Sequence, residues 1–334
     1  MSVTFTQVMY SLMLIILLWG MYKAWHNATH TATIHPFKAI ALLSLFYLSY
    51  LAFPALVLVI WQMWQGEINV VQFVSTTIIL MILIYARFIE PQYVVVQETE
   101  LKIDPKWPLQ QTLKIALIAD LHIGLYSGKE KQLKTIVEKI NEEQPDFVVV
   151  AGDWTYEPKH TIAKEIAILK QIDVPIYSVT GNHDEQYPGP PIQQLLKQAL
   201  TSNHIKDIEN QVIEFDEIYL VGIGDLWAGK ANMEFLKDLA EDKPILLLSH
   251  NPDTVEMVPQ LATKPLMLSG HTHGGQIELP WLTDYVLKKV SILGHKKGYY
   301  SHANANVFVT VGTGMVGAPF RFRVPPTIDI IYLS

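Results

Sequence analysis

The 334 residues carry 32 Asp and Glu against 25 Lys and Arg, for a formal net charge of -7, with 50% hydrophobic residues and no cysteine. The acidic balance argues against a nucleic-acid partner, and the missing thiols exclude disulfides and thiolate metal ligation. The charge is unevenly placed: up to residue 106, Lys23, Lys38, Arg87, Lys102 and Lys106 cancel Glu67, Glu90, Glu98, Glu100 and Asp104, so the whole -7 falls on residues 107–334.

Residues 8–25, 40–61 and 70–89 are apolar runs of about twenty residues, the length that crosses a hydrocarbon core. The first is not a signal peptide, because no Lys or Arg precedes it and no small-x-small cleavage site follows it. Tyr47, Tyr50, Trp61, Trp64 and Tyr85 suit interfacial positions. Lys23 and Lys38 flank the first loop, Glu67 is alone in the second, and Arg87, Lys102 and Lys106 follow the third run. The positive-inside tendency then puts the N-terminus outside and the acidic region in the cytoplasm. The expected organisation is a membrane anchor of three transmembrane helices over residues 1–90, a connecting segment over 91–112 with short strands at 93–96 and 101–103, and a globular domain over 113–334.

From Leu113 the pattern alternates. Apolar strands at 113–119, 146–152, 174–181, 218–224, 244–250, 265–270 and 307–314 are interspersed with helical spacing at 129–141, 162–170 and 191–200. This predicts a layered α/β domain, a β-sandwich flanked by helices, whose ligands lie beyond the carboxyl ends of the strands. The short polar motifs stand at those ends: Asp120-Leu121-His122, Gly152-Asp153, Gly181-Asn182-His183-Asp184, Ser249-His250-Asn251 and Gly270-His271-Thr272-His273-Gly274-Gly275. Asp, Asn and His repeated at strand ends provide the hard oxygen and borderline nitrogen donors of a polynuclear metal centre. The glycines at 152, 181, 270, 274 and 275 are expected where the backbone needs positive φ or close approach. His26, His30, His35, His160, His204, His295 and His302 lack such spacing and read as surface or loop residues.

In that order the motifs resemble the five blocks of the calcineurin-like metallophosphoesterase superfamily. The resemblance implies a hydrolase of phosphoric ester or anhydride bonds with two divalent ions, manganese first among manganese, iron, zinc and cobalt. It implies that Asp120, His122 and His273 hold one ion and Asn182, His250 and His271 the other, with Asp153 bridging. His183 then faces the substrate as proton donor or charge stabiliser, and Asp184 orients its surroundings. The ending from Gly312 to Pro326 is similar to a bacterial branch that includes membrane-associated phosphodiesterases and a UDP-2,3-diacylglucosamine diphosphatase. There Arg321 or Arg323 either contacts a substrate phosphate or packs structurally.

The expectation is an integral protein of the bacterial inner membrane acting on a phosphorylated, lipid-linked substrate such as UDP-2,3-diacylglucosamine or a phospholipid. The lipid bilayer is its partner, and no protein partner is evident. A soluble nucleotide-type phosphodiester is the alternative, and a non-catalytic binding module a third. Residues 281–300 place Lys288, Lys289, Lys296 and Lys297 among Trp281, Tyr285, Leu287, Ile292, Leu293, Tyr299 and Tyr300. That stretch reads either as a flap on the bilayer or as ordinary surface.

Overall fold

The computed structural model describes residues 4–30, 35–126, 128–158, 161–185, 192–239 and 242–334. Four helices come first: α1 (Phe5–Ala28), α2 (Pro36–Leu48), α3 (Ala52–Gln65) and α4 (Val70–Ile84). Thr4 and Asn69 cap α1 and α4 in reciprocal capping boxes with Gln7 and Gln72, and Gly66 ends α3 in the left-handed conformation. A 3₁₀ turn joins α2 to α3, and a π-helical turn, Tyr85–Ile89, extends α4. Three segments, Phe5–Ala28, Pro36–Gln65 and Val70–Gln92, are therefore long and apolar enough to cross a membrane. Exposed Leu14, Ile15, Leu18, Val71 and Ile79 give their outer faces no aqueous rationale.

The globular part follows as β1 (Val95–Leu101), β2 (Leu113–Ile118), β3 (Ile123–Gly124), α5 (Lys129–Glu143), β4 (Phe147–Ala151), β5 (Thr155–Tyr156), α6 (Ile162–Glu165), β6 (Ile176–Val179), α7 (Gln193–Ser202) and β7 (Ile205–Asp207). It continues with β8 (Val212–Glu214), β9 (Tyr219–Ile223), β10 (Ile245–Ser249), β11 (Leu266–Ser269), α8 (Leu282–Val290), β12 (Gly298–Ser301), β13 (Asn306–Val309) and β14 (Thr327–Leu333). One six-stranded sheet has the order β1-β14-β2-β4-β6-β7, the other β12-β13-β11-β10-β9-β8. Their apolar inner faces meet through Ile115, Leu117, Phe147 and Val149 against Leu220, Leu246, Leu268 and Phe308. Helices α5 and α7 cover the outer face of the first sheet through Leu133, Ile136, Ile140 and Leu196. The layered α/β architecture is the one expected.

Particular elements differ from the sequence reading. The segment taken as a connection holds one strand, β1, which pairs in parallel with β14 from Val95↔Thr327 to Leu101↔Leu333 and is thus part of the first sheet. The final strand β14 runs antiparallel to β2, a pairing no local pattern announces. Residues 162–170 split into α6 and a 3₁₀ turn, Ala167–Gln171. Of the helix expected at 191–200, Pro191 lies outside the described residues, as does His160.

The helices do not hang free of the domain. Ala24, Ala28, Ala39, Leu43, Phe46 and Tyr47 from α1 and α2 share a buried cluster with Leu125, Tyr126 and Tyr156. This docking packs the end of α1 and the body of α2 against the globular part. Lys38 at the start of α2 reaches Glu157 at 3.2 Å.

Candidate metal centre

Each motif leaves the carboxyl end of a buried strand: Asp120 and His122 after β2, Asp153 after β4, Asn182 and His183 after β6, His250 after β10, and His271 and His273 after β11. To turn these side chains inward the backbone adopts left-handed φ at Asp120 (+55°), His122 (+47°), Asp153 (+53°), His271 (+74°) and His273 (+52°). Such conformations cost on the order of 1–3 kcal/mol each and persist where the surroundings over-determine them. Glycine makes room for the turns. A Cβ at Gly181 would lie 2.2 Å from Asp153 Oδ1, and one at Gly312, with φ of +64°, 2.6 Å from Asp120 Oδ2.

The side chains converge. His122 Nε2 lies 2.9 Å from His273 Nε2, and His273 Nε2 is 3.5 Å from Asp120 Oδ1. On the other side His250 Nε2 lies 3.1 Å from Asn182 Oδ1 and 3.1 Å from His271 Nδ1. Between the two sets, Asp153 Oδ2 is 3.6 Å from His122 Nε2 and 3.3 Å from His250 Nε2. Asp120, His122 and His273, and again Asp120, Asp153 and His250, offer ligand atoms within 4.8 Å of one another. Asp120 belongs to both groups.

Proton accounting tests whether a metal fits. His250 Nδ1 faces the carbonyl of Ala151 at 2.8 Å, and His271 Nε2 faces that of Val290 at 3.0 Å. Each carbonyl demands an N–H donor, so in neutral rings the inner nitrogens carry lone pairs, and these face each other at 3.1 Å. A proton on His250 or a metal ion between the rings relieves that contact. His122 repeats the device with its Nδ1 3.3 Å from the carbonyl of Thr155. A ring fixed by an outer partner is the usual support of a metal-bound histidine, and the donor set fits divalent ions.

Electrostatics agree. Burial drives Asp120 up to about 7, whereas at Asp153 the effect of burial is outweighed by His250, His183 and His122, which hold it well below the carboxylate range. Burial lowers His122 and His273 well below the imidazole range, and burial together with His250 pushes His271 down to about 3. At His250 burial is overcome by Asp153, Asp120 and Asp225, which raise it to about 10. The cavity thus keeps most rings in the neutral, ligating form and draws positive charge to its carboxylates.

His183 is the partly exposed ring of the group, edge-on to His122 at 5.3 Å and to Tyr156 at 5.0 Å, with its backbone N–H on Asp153 Oδ1 at 2.9 Å. Asp184 is buried, and its oxygens accept from the backbone N–H groups of Trp154, Thr155 and Gly181 and from the Thr155 hydroxyl. It clamps two ligand turns together and has no face toward a substrate.

The phosphate-contact reading of Arg321 is corrected. Its guanidinium is fully buried and directs four of its five N–H groups to the carbonyls of Gly314, Val324, Val311 and Gly312. Arg323 is exposed, with its backbone N–H on Glu90. His295 lies in the loop after α8 but is buried there, with Nδ1 2.9 Å from Asp253 Oδ1 and Nε2 2.9 Å from His302 Nε2.

Two site residues were missed. Asp225 is fully buried, raised to about 6 by burial, and its Oδ1 has no hydrogen-bond partner among the described residues. Trp227, partly exposed, stands edge-on to His271 at 4.5 Å. The signal was present, for Gly224-Asp225 follows β9 as Gly152-Asp153 follows β4.

The profile of the family described as calcineurin-like phosphoesterase matches residues 113–296. An uncharacterized metallophosphoesterase of Bacillus subtilis, YkuE, is 28% identical over 75% of this chain and 89% of its own length. A transmembrane protein with metallophosphoesterase domain from Danio rerio is 32% identical over 66% of this chain, which spans about half (53%) of that protein. Phosphodiesterase YaeI of Escherichia coli is 29% identical over 66% of this chain and 82% of its own.

Proposed function

The chain belongs to the calcineurin-like phosphoesterases, metal-dependent hydrolases, and on that premise we infer a membrane-anchored enzyme that hydrolyses a phosphodiester or pyrophosphate bond in a lipid-linked substrate at the cytoplasmic face of a bacterial inner membrane. Asp120, His122 and His273 are assigned to one divalent ion and Asn182, His250 and His271 to the other, with Asp153 between them. Manganese suits this oxygen and imidazole set, with iron, zinc and cobalt as alternatives. When bound, the ions would neutralise phosphoryl oxygens and activate water. His183 is assigned to the leaving oxygen. Burial keeps its pKa below the usual imidazole range, and an arriving phosphate anion reverses that by favouring the imidazolium, so proton and substrate come together. Asp184 positions the turns at 153–155 and 181–182. Residues 1–90 anchor and 113–334 catalyse, with 91–112 between them.

One observation carries the lipid reading: the loop that braces the metal turn is bonded to the third membrane helix. The Gln276 side chain donates to the carbonyls of Val316 and Ala318 and accepts from Val316 N–H. A few residues on, the backbone N–H of Arg321 donates to the carbonyl of Ala86 at 2.9 Å, and those of Arg323 and Val324 donate to the Glu90 carboxylate. The flap reading of 281–300 gains support from exposed Trp281, Tyr285 and Ile292 beside Lys288 and Lys289, although Lys296 is engaged with Glu278 at 2.8 Å. The partly exposed Trp227 beside His271 favours the second reading, a soluble substrate whose nucleobase stacks there.

The test compares hydrolysis of lipid phosphodiesters and of cyclic nucleotides by the full chain in nanodiscs, beside mass spectrometry of lipids from a deletion strain. Accumulation of a phosphorylated lipid is the expected result, and turnover confined to nucleotides overturns the lipid reading. A reporter after Ser334 should behave as cytoplasmic and one near Glu67 as external; the opposite pattern moves the site to the outer face.

A further inference from the structure

A cavity of about 220 Å³ opens beside the metal-binding turn, lined by Ile277, Leu282, Val286, Val290, Val316 and Ala318 together with His271 and His273. Its wall away from the histidines is aliphatic. Of the polar groups along it, Thr272 donates to the carbonyl of Lys296 and the Gln276 amide is spent on Val316 and Ala318, while His273 Nδ1 is buried without a hydrogen-bond partner among the described residues. A sugar or base placed here would lose more hydrogen bonds to water than this mostly aliphatic lining can return, which disfavours a polar head group.

The surroundings name the occupant. One wall is α8, which exposes Tyr285, with exposed Trp281 just before its start and Ile292 just beyond its end. The opposite wall is the loop carrying Val316 and Ala318, and two residues on, Phe320 lines a crevice of about 300 Å³ with Met13, Leu45, Leu48, Leu80 and Leu83 of the membrane helices. The loop therefore separates an apolar recess at the metals from an apolar recess in the anchor.

We propose that the cavity walled by α8 and Ala318 is an acyl-chain subsite, holding the first carbons of a substrate chain while its phosphate lies on the metal cluster. The proposal rests on the lipid-linked reading and goes beyond it, since it takes the chain out of the bilayer and makes it a determinant of specificity. At roughly 30 Å³ per water-sized group the cavity admits on the order of seven methylenes, and each methylene buried is worth about fourfold in binding.

The test is a series of alkyl p-nitrophenyl phosphodiesters, from methyl to dodecyl, kept below their micellar concentrations and turned over by the full-length protein in nanodiscs. The readout is the octyl-to-methyl ratio of kcat/KM within each variant, so that a general loss of activity does not enter. In the unmodified chain this ratio should exceed about a hundred, and the gain should level off beyond about eight carbons. Val286→Trp and Ala318→Leu, which fill the cavity, should bring the ratio near one, while Val286→Ala should move the plateau to longer chains. A flat series in the unmodified chain, with the methyl ester still hydrolysed, overturns the subsite and leaves the phosphoesterase reading standing. An unchanged ratio in both filled variants also overturns it. Should Val286→Trp fail to fold, Ala318→Leu and Val286→Ala decide alone. Inactivity toward every ester strikes at the phosphoesterase reading itself.

Discussion

Two clusters of histidine and carboxylate are buried in this domain, and they are built differently. In the metal centre the outer nitrogens of His250 and His271 meet backbone carbonyls, their inner nitrogens converge, and five of the contributing residues sit at positive φ. In the second cluster His295 meets a carboxylate, Asp253, which also accepts from the Ser291 hydroxyl and the Ile292 backbone N–H. Neither Asp253 nor His295 has positive φ. Composition alone does not separate the two. Carboxylates and imidazoles converging on strained backbone mark the metal centre, whereas in the second cluster His295 pairs with one carboxylate and with His302 on backbone without positive φ.

Substitutions put that distinction at risk, the largest effect first. Asp153→Asn should reduce turnover to background and empty the site. Loss of an outer partner alone commonly costs 10–100-fold in metal affinity, so the loss here should exceed about a hundredfold by metal analysis after dialysis. Chelator should lower the Tm of the unmodified chain and added metal restore it, with no such response in the variant. Near-normal activity in Asp153→Asn after dialysis against chelator would refute the dinuclear assignment.

His183→Ala makes a finer cut inside the first cluster. Turnover should fall about a hundredfold to ten-thousandfold with metal content unchanged, and the loss should shrink for a leaving group that needs no proton. Equal losses for good and poor leaving groups count against the acid role.

In the second cluster Asp253→Ala should cost about 1–3 kcal/mol of stability by stranding the donors of Ser291 and Ile292, while metal content stays normal. If it empties the site as Asp153→Asn does, the two clusters are not separable. The smallest effect is one of pH. Burial raises Asp253, but the bonds from His295, Ser291 and Ile292 outweigh it and hold the carboxyl below its usual range. A depressed folded pKa stabilises above the unfolded value of about 3.9 and loses that contribution as pH falls through the folded one. The gap between Asp253→Ala and the unmodified chain should therefore narrow on acidification below about pH 4, as read by thermal unfolding.

Much of the first cluster was legible because its residues follow apolar strands, and strands are local. Periodicity found the β2, β4, β6, β10 and β11 runs, and the motifs stand at their ends. What was not legible depends on distant partners. The insertion of β14 between β1 and β2 joins residues more than 200 positions apart. The burial of Arg321 follows from carbonyls supplied by Val311, Gly312, Gly314 and Val324 around a tight loop. His295 lacked any spacing signal because its partner Asp253 comes from another turn. Asp225 differs from these, since its Gly-Asp step after β9 was visible and went unread.

The bonds from Arg321 to Ala86 and from Arg323 and Val324 to Glu90 join the loop after β13 to the last turns of the third apolar segment. Helices adjust to a thicker or thinner hydrocarbon slab by tilting, at a modest cost per ångström. Here such a tilt has a short mechanical path: Ala86 to Arg321, Phe322 to Gln276 through its backbone N–H, and Gln276 to the turn that carries His273. On the proposed reading of a membrane anchor, the thickness of the host bilayer becomes a load carried by one helix to the candidate metal centre.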